Sequence, residues 1–94
     1  MRVDVLGLQA FIAIADHGSF RTAAKALNLS QTALSHRIAK IEADLGLSLF
    51  VRTTRKLALT QEGLALLPRA RRAIVDLEKS MSELKQLGQL RRQE

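Results

Sequence analysis

Between Ser19 and Ala58 the chain carries seven basic residues, Arg21, Lys25, Arg37, Lys40, Arg52, Arg55 and Lys56, against two acidic ones, Glu42 and Asp44. That local excess supplies most of the net charge of +6 on all 94 residues. Cations at this density attract a polyanion or an anionic membrane surface, and composition alone does not separate the two. Among them stand Gln31, Thr32, Ser35 and His36, short polar side chains able to exchange hydrogen bonds with base edges. Other chemistries find little support. With no cysteine there is no disulfide framework and no thiolate metal site, and His17 and His36 lack metal-ligand spacing. No phosphate loop or catalytic carboxylate pair is present, and the serines lack a His-Asp arrangement, so neither enzymatic activity nor a cofactor is expected. The absence of cysteine also suits a reducing cytoplasm.

The elements that would position these residues follow from periodicity and capping. A first helix is expected from about Val5 to His17, with Asp4 as N-cap, Gly18 as the left-handed stop and Leu8, Phe11, Ile12 and Ala15 as its apolar stripe. Arg2 followed by an apolar run ending Ala13-Ile14-Ala15 imitates a secretory leader, but Asp4, Gln9 and the helical stripe argue against one. Ser19 caps a short second helix whose Phe20, Ala23, Ala24 and Leu27 face inward, leaving Arg21, Thr22 and Lys25 outside. After a turn at Asn28-Leu29, Ser30 caps a third helix ending at Gly46, with Leu34, Ile38, Ile41 and Leu45 as its core stripe. At about 100° per residue that stripe turns Thr32, His36, Ala39, Lys40 and Ala43 outward, with Gln31 and Ser35 at the margins. Leu49-Phe50-Val51 and Leu57-Ala58-Leu59 read as two strands around a basic tip, Arg52 to Lys56. Two helices joined by a tight turn, followed by a basic hairpin, are the parts of a winged helix-turn-helix. With only three aromatics, all Phe, the fold class expected is mainly α: three helices plus a two-stranded β-hairpin wing, followed by a long linker helix.

That last helix begins at a Thr60 cap and continues to about Leu90, far beyond what one small core requires. Pro68 is expected to bend it near residues 64–67 without breaking it. Leu67, Ala70, Ile74, Leu77, Met81 and Leu84 are spaced 3, 4, 3, 4, 3, a heptad seam and therefore the expected dimer interface. Its e positions are Arg71, Glu78 and Lys85, and only an antiparallel pair sets these against one another. The division expected is a winged helix-turn-helix domain over residues 1–60 and a linker or dimerisation helix over 61–94.

The residues themselves resemble a family. Gly18-Ser19-Phe20 with Ala23-Ala24, then Leu29 to Ser35, Ile41-Glu42, Leu45-Gly46, Leu49-Phe50-Val51-Arg52 and Leu59-Thr60-Gln61-Glu62-Gly63 are similar to the N-terminal signature of LysR-type transcriptional regulators. The match runs in unbroken order over about residues 5 to 75. The resemblance implies sequence-specific binding to double-stranded DNA by a homodimer, with Gln31, Thr32, Ser35 and His36 at base edges. It places Arg52, Arg55 and Lys56 near phosphates or the minor groove, and Ser19, Arg21, Thr22, Lys25, Arg37 and Lys40 are expected along the backbone. It further implies an imperfect inverted repeat as target, no membrane partner, higher oligomers open to the full-length protein, and a small-molecule effector bound only by a larger domain absent here. Two positions depart from the family pattern. Thr32 stands where proline is usual, exchanging a stiff apolar contact for a hydroxyl and a methyl, and Ala58 stands where relatives are often basic.

Plainer readings accompany these assignments. His36 alone reads equally as a solvated histidine, Lys40 as a solvated charge, and Arg37 as a partner of Glu42 or Asp44. His17 suits the negative end of the first helix. Arg69, Arg71 and Arg72 read as a solvated helix face. Two other functions fit parts of the pattern: a protein-interaction module built on the heptad helix, and a winged-helix DNA-binding protein of another family. Salt separates the first from DNA binding, because phosphate contacts weaken steeply with ionic strength and apolar helix pairing does not.

Overall fold

A computed structural model describes residues 2–53 and 56–93; Met1, Thr54, Arg55 and Glu94 lie outside the described residues. Four helices and a hairpin follow in the order α1 Val5–His17, α2 Phe20–Ala26, α3 Gln31–Leu45, β1 Phe50–Arg52, β2 Leu57–Leu59 and α4 Gln61–Gln93.

The boundaries have local causes. The Ser19 hydroxyl accepts the Thr22 N–H at 3.2 Å to start α2, and the Ser30 hydroxyl accepts the Ala33 N–H at 3.0 Å to start α3. Gly18 and Gly46 end α1 and α3 in the left-handed region, at φ 68° and 70°. Between α2 and α3 the same stop is made without glycine: Asn28 sits at φ 56° and the Leu29 N–H reaches back to the Ala24 carbonyl at 2.9 Å. Asp4 is the N-cap of α1 in position only, since its carboxylate makes no cap bond and turns to Arg37.

The core contains Ala10, Phe11 and Ile14 of α1, Ala23 and Ala24 of α2, Leu34 and Ile38 of α3, Leu49 and Phe50 at the wing root, and Ala70 of α4. Phe50 packs between Phe11 and Phe20, with ring centroids 5.4 and 5.7 Å away and tilted geometries. Of the expected stripe of α1 Phe11 is fully buried, while Leu8, Ile12 and Ala15 are only partly buried; Gly7, Ala10 and Ile14 are buried with Phe11 instead. α1 touches α2, α3 and α4, so it buries more than one stripe, and at Gly7 it lies so close to α3 that a Cβ would meet the Ile41 side chain at 2.7 Å. Leu45, assigned to the core stripe of α3, is 38% exposed at the helix end.

The strands pair antiparallel, Phe50 with Leu59, Val51 with Ala58 and Arg52 with Leu57. β1 therefore starts one residue later than expected and includes Arg52, which moves from the basic tip into the ladder. Thr53 and Lys56 close the hairpin through the Thr53 N–H on the Lys56 carbonyl, 3.1 Å, and the Lys56 N–H on the Thr53 hydroxyl, 3.0 Å.

Thr60 caps α4 as expected: its hydroxyl accepts the Gly63 N–H at 3.0 Å and donates to the Ser48 carbonyl at 2.7 Å. The helix is unbroken through Pro68. It passes so close to the wing root that a Cβ on Gly63 would lie 2.3 Å from the Leu49 carbonyl oxygen, an approach only glycine permits.

Candidate nucleic-acid interface

α3 presents Gln31, Thr32 and His36 to solvent, with Ser35 half-buried between them. Leu34 and Ile38, on the opposite side, are fully buried, so the rotation of the helix is set by the core and its first two turns are held outward. Ala39 and Lys40 continue the exposed face, and Arg21, Thr22 and Lys25 lie exposed on α2 beside it. Ser19, at the head of α2, uses its hydroxyl oxygen as the helix cap.

Arg37 does not stand free. Its guanidinium donates to both carboxylate oxygens of Asp4, at 3.3 and 3.5 Å, tying α3 to the start of α1. Neither Glu42 nor Asp44 is its partner, and its contribution to an interface is that of a half-buried, already engaged cation.

Arg52 is also engaged. Its guanidinium lies 4.7 Å above the centre of the Phe20 ring and 3.7 Å from a Glu42 oxygen. The other Glu42 oxygen accepts the Leu49 N–H at 2.7 Å. One carboxylate thus joins the C-terminal part of α3 to the wing root, and one guanidinium joins the wing to the head of α2. Arg52 still leaves about half of its side chain exposed. Lys56 is exposed at the end of the hairpin, and Arg55 lies outside the described residues. The part of Glu42 was missed from sequence, although an acid inside a strongly basic stretch is a signal for an internal partner.

The heptad seam divides in two. Ala70 is 2% exposed and belongs to the core of its own chain, with Leu66 and Leu67 packed beside it, so Ala70 is not available to a second copy. Helical spacing continues the core stripe of α4 into the seam, and its first turns are consumed by α1. Beyond the half-buried Ile74 the row emerges: Leu77, Met81 and Leu84 are 50%, 69% and 64% exposed, and Leu87 and Leu90 lie bare further along. Arg71, expected on a solvated face and beside an interhelical acid, instead makes a two-pronged ion pair with Asp16 of α1. The Arg71 hydrogen bonds hold the Asp16 carboxyl below its ordinary value, against a smaller opposing effect of desolvation.

An exposed polar helix face beside a basic hairpin is the geometry of a groove reader. A model of the bacterial regulatory helix-turn-helix protein, lysR family, matches residues 6–64. The chain belongs to the LysR family. Among LysR-type relatives, the uncharacterized regulator YbhD of Escherichia coli K12 is 41% identical over 94% of this chain. The regulator PtxR of Pseudomonas aeruginosa is 44% identical over 85% of it. The chain spans 28% and 26% of the lengths of those two proteins. Among solved structures, a CbnR_DBD-DNA complex superimposes with a TM-score of 0.85 at 34% identity, covering 92% of this chain and 99% of that one. A BenM_DBD complex with catB site 1 DNA gives 0.88 at 28% identity, covering 92% and 97%. The molecule is thus a LysR-type winged helix-turn-helix DNA-binding domain extended by α4. Among the described residues no helix is long and apolar enough to cross a membrane.

Proposed function

We propose that this LysR-type chain binds an imperfect inverted repeat in duplex DNA as a homodimer, one half-site per α3. The observation that carries the reading is the outward face of α3, Gln31, Thr32, Ser35 and His36, mounted on the buried Leu34 and Ile38. These four residues exchange hydrogen bonds and methyl contacts with base edges in the major groove. Arg21, Lys25, Lys40 and Lys56 neutralise phosphates beside it. Arg52, steadied by Glu42 and Phe20, extends the basic surface along the wing. The sequence division at residue 60 gives way to a reading domain whose core α4 completes as far as Ala70, with the exposed remainder of α4 as the pairing segment.

The exposed row Leu77, Met81 and Leu84 supports self-pairing, because an apolar stripe of this length on a strongly charged chain requires a cover and a second copy offers the same stripe. Two reading helices related by a two-fold axis meet half-sites about one DNA turn, ~34 Å, or a multiple of it apart. An effector would act through a further domain of the whole protein, in the cytoplasm where DNA resides. Selection from a random duplex library tests the reading: an inverted repeat whose binding weakens steeply with salt supports it. Recovery of no sequence, or salt-insensitive binding, overturns it.

A further inference from the structure

Building on the dimeric DNA-binding reading, we propose that the Asp16–Arg71 pair is a positioning strut. It fixes the angle between the reading domain and the pairing helix and so determines which half-site spacing the dimer accepts.

The pair sits at the joint. α4 is held to the domain by Leu66, Leu67 and Ala70, and beyond Ile74 its large apolar residues are exposed. Arg71 lies in the last turn that the domain still touches, and α4 continues to Gln93, about 33 Å further at 1.5 Å per residue. Apolar packing is non-directional, and a contact made through a small alanine resists separation better than rocking. A guanidinium that meets both oxygens of one carboxylate is directional in a way those contacts are not. Asp16 is also misplaced for α1 itself, since a negative charge in the last turn opposes the helix dipole. Its position makes sense through a partner 55 residues away rather than through the helix that carries it.

Both side chains are nearly half exposed, so the pair adds little to folding stability. Its leverage is geometric. The molecule measures 59 × 25 × 20 Å, and at ~20 Å from the joint, within its shorter dimensions, a rotation of ~10° carries the reading domain ~3.5 Å, close to the rise of one base pair. Without the strut, the two reading helices of a dimer adapt to half-sites one base pair too near or too far.

The test uses the repeat recovered from a random duplex library, rebuilt with its spacer shortened or lengthened by one and two base pairs. Also needed is a duplex carrying a single half-site. Affinities are measured for wild type, Asp16→Ala, Arg71→Ala and the exchange combining Asp16→Arg with Arg71→Asp. The single variants should retain half-site affinity and near-normal affinity for the optimal repeat. Their penalty on misspaced repeats should shrink about threefold, within the range one exposed ion pair can supply, and the exchange should restore it. Spacing profiles parallel to wild type overturn the proposal, as does an equal loss on the single half-site, which would make the pair a fold contact only. Wild type that selects no DNA, or sediments as a monomer, removes the underlying reading instead and the strut with it.

Discussion

Truncating Glu42 isolates the junction between the reading helix and the wing. Its carboxylate accepts the N–H of Leu49, whose residue is 1% exposed, and Glu42→Ala removes that acceptor. An orphaned buried donor costs about 1–3 kcal/mol. The ion pair to Arg52 adds less than about 1 kcal/mol, because the guanidinium is half in solvent and the separation is 3.7 Å. Alanine returns a few tenths of a kcal/mol through helix propensity. The expected net loss is therefore about 1–3.5 kcal/mol, a large share of the stability of so small a domain. Glu42→Gln keeps a neutral acceptor for Leu49 and gives up only charge, so about 0.5–1 kcal/mol is expected. Urea unfolding at one fixed protomer concentration reads both values, since pairing makes the midpoint concentration-dependent. The alanine variant should also bind its selected duplex more weakly than the glutamine variant, because β1 is no longer tied to α3. An alanine variant within 0.5 kcal/mol of wild type, or one no worse than glutamine, would refute the junction.

Four further outcomes are expected. Ser35→Ala or His36→Ala should cost roughly 1–3 kcal/mol on the selected site and much less on random duplex, measured by competition binding; equal losses would remove them from base readout. Lys56→Ala should lower the slope of log affinity against log salt by about one unit, and an unchanged slope would turn the hairpin away from phosphate. Leu77→Arg should give a monomer in analytical ultracentrifugation with weak binding to the full repeat, whereas a persistent dimer would place the interface elsewhere. The Asp16 carboxyl is held below its ordinary value of 3.8, so its stabilising effect is present above that value and lost as pH falls through the lowered one. The difference in melting temperature between wild type and Asp16→Asn should thus be constant above about pH 5 and close in acid. A gap that widens in acid would contradict the pairing.

The legible part of the molecule was the part written in neighbouring residues. Ser19 and Ser30 announce their helices, Gly18 and Gly46 end theirs, and the polar face of α3 follows from the spacing of Leu34 and Ile38. Facing was harder for α1, where three neighbours leave no single apolar side and Gly7, Ala10 and Ile14 are buried beside Phe11. Arg37 with Asp4, Arg52 with Glu42 and Arg71 with Asp16 join different elements. Local periodicity says nothing of which distant acid a cation meets. The heptad spacing on α4 runs through the buried Ala70 as well as the exposed Leu77, Met81 and Leu84, because sequence spacing carries no mark of where the chain stops covering its own stripe.

Under the pairing proposed for α4, that stripe makes folding and association two readings of one helix. A chain ending at Thr60 would keep every part of the helix-turn-helix and wing, yet would lose Leu66, Leu67 and Ala70 from the side of α1 they enclose. The reader is therefore not a detachable module to which a pairing device has been appended. Its smallest self-sufficient form extends to about Ile74, and any strain transmitted along α4 from a partner or a further domain enters directly among the side chains that seat the reading helix.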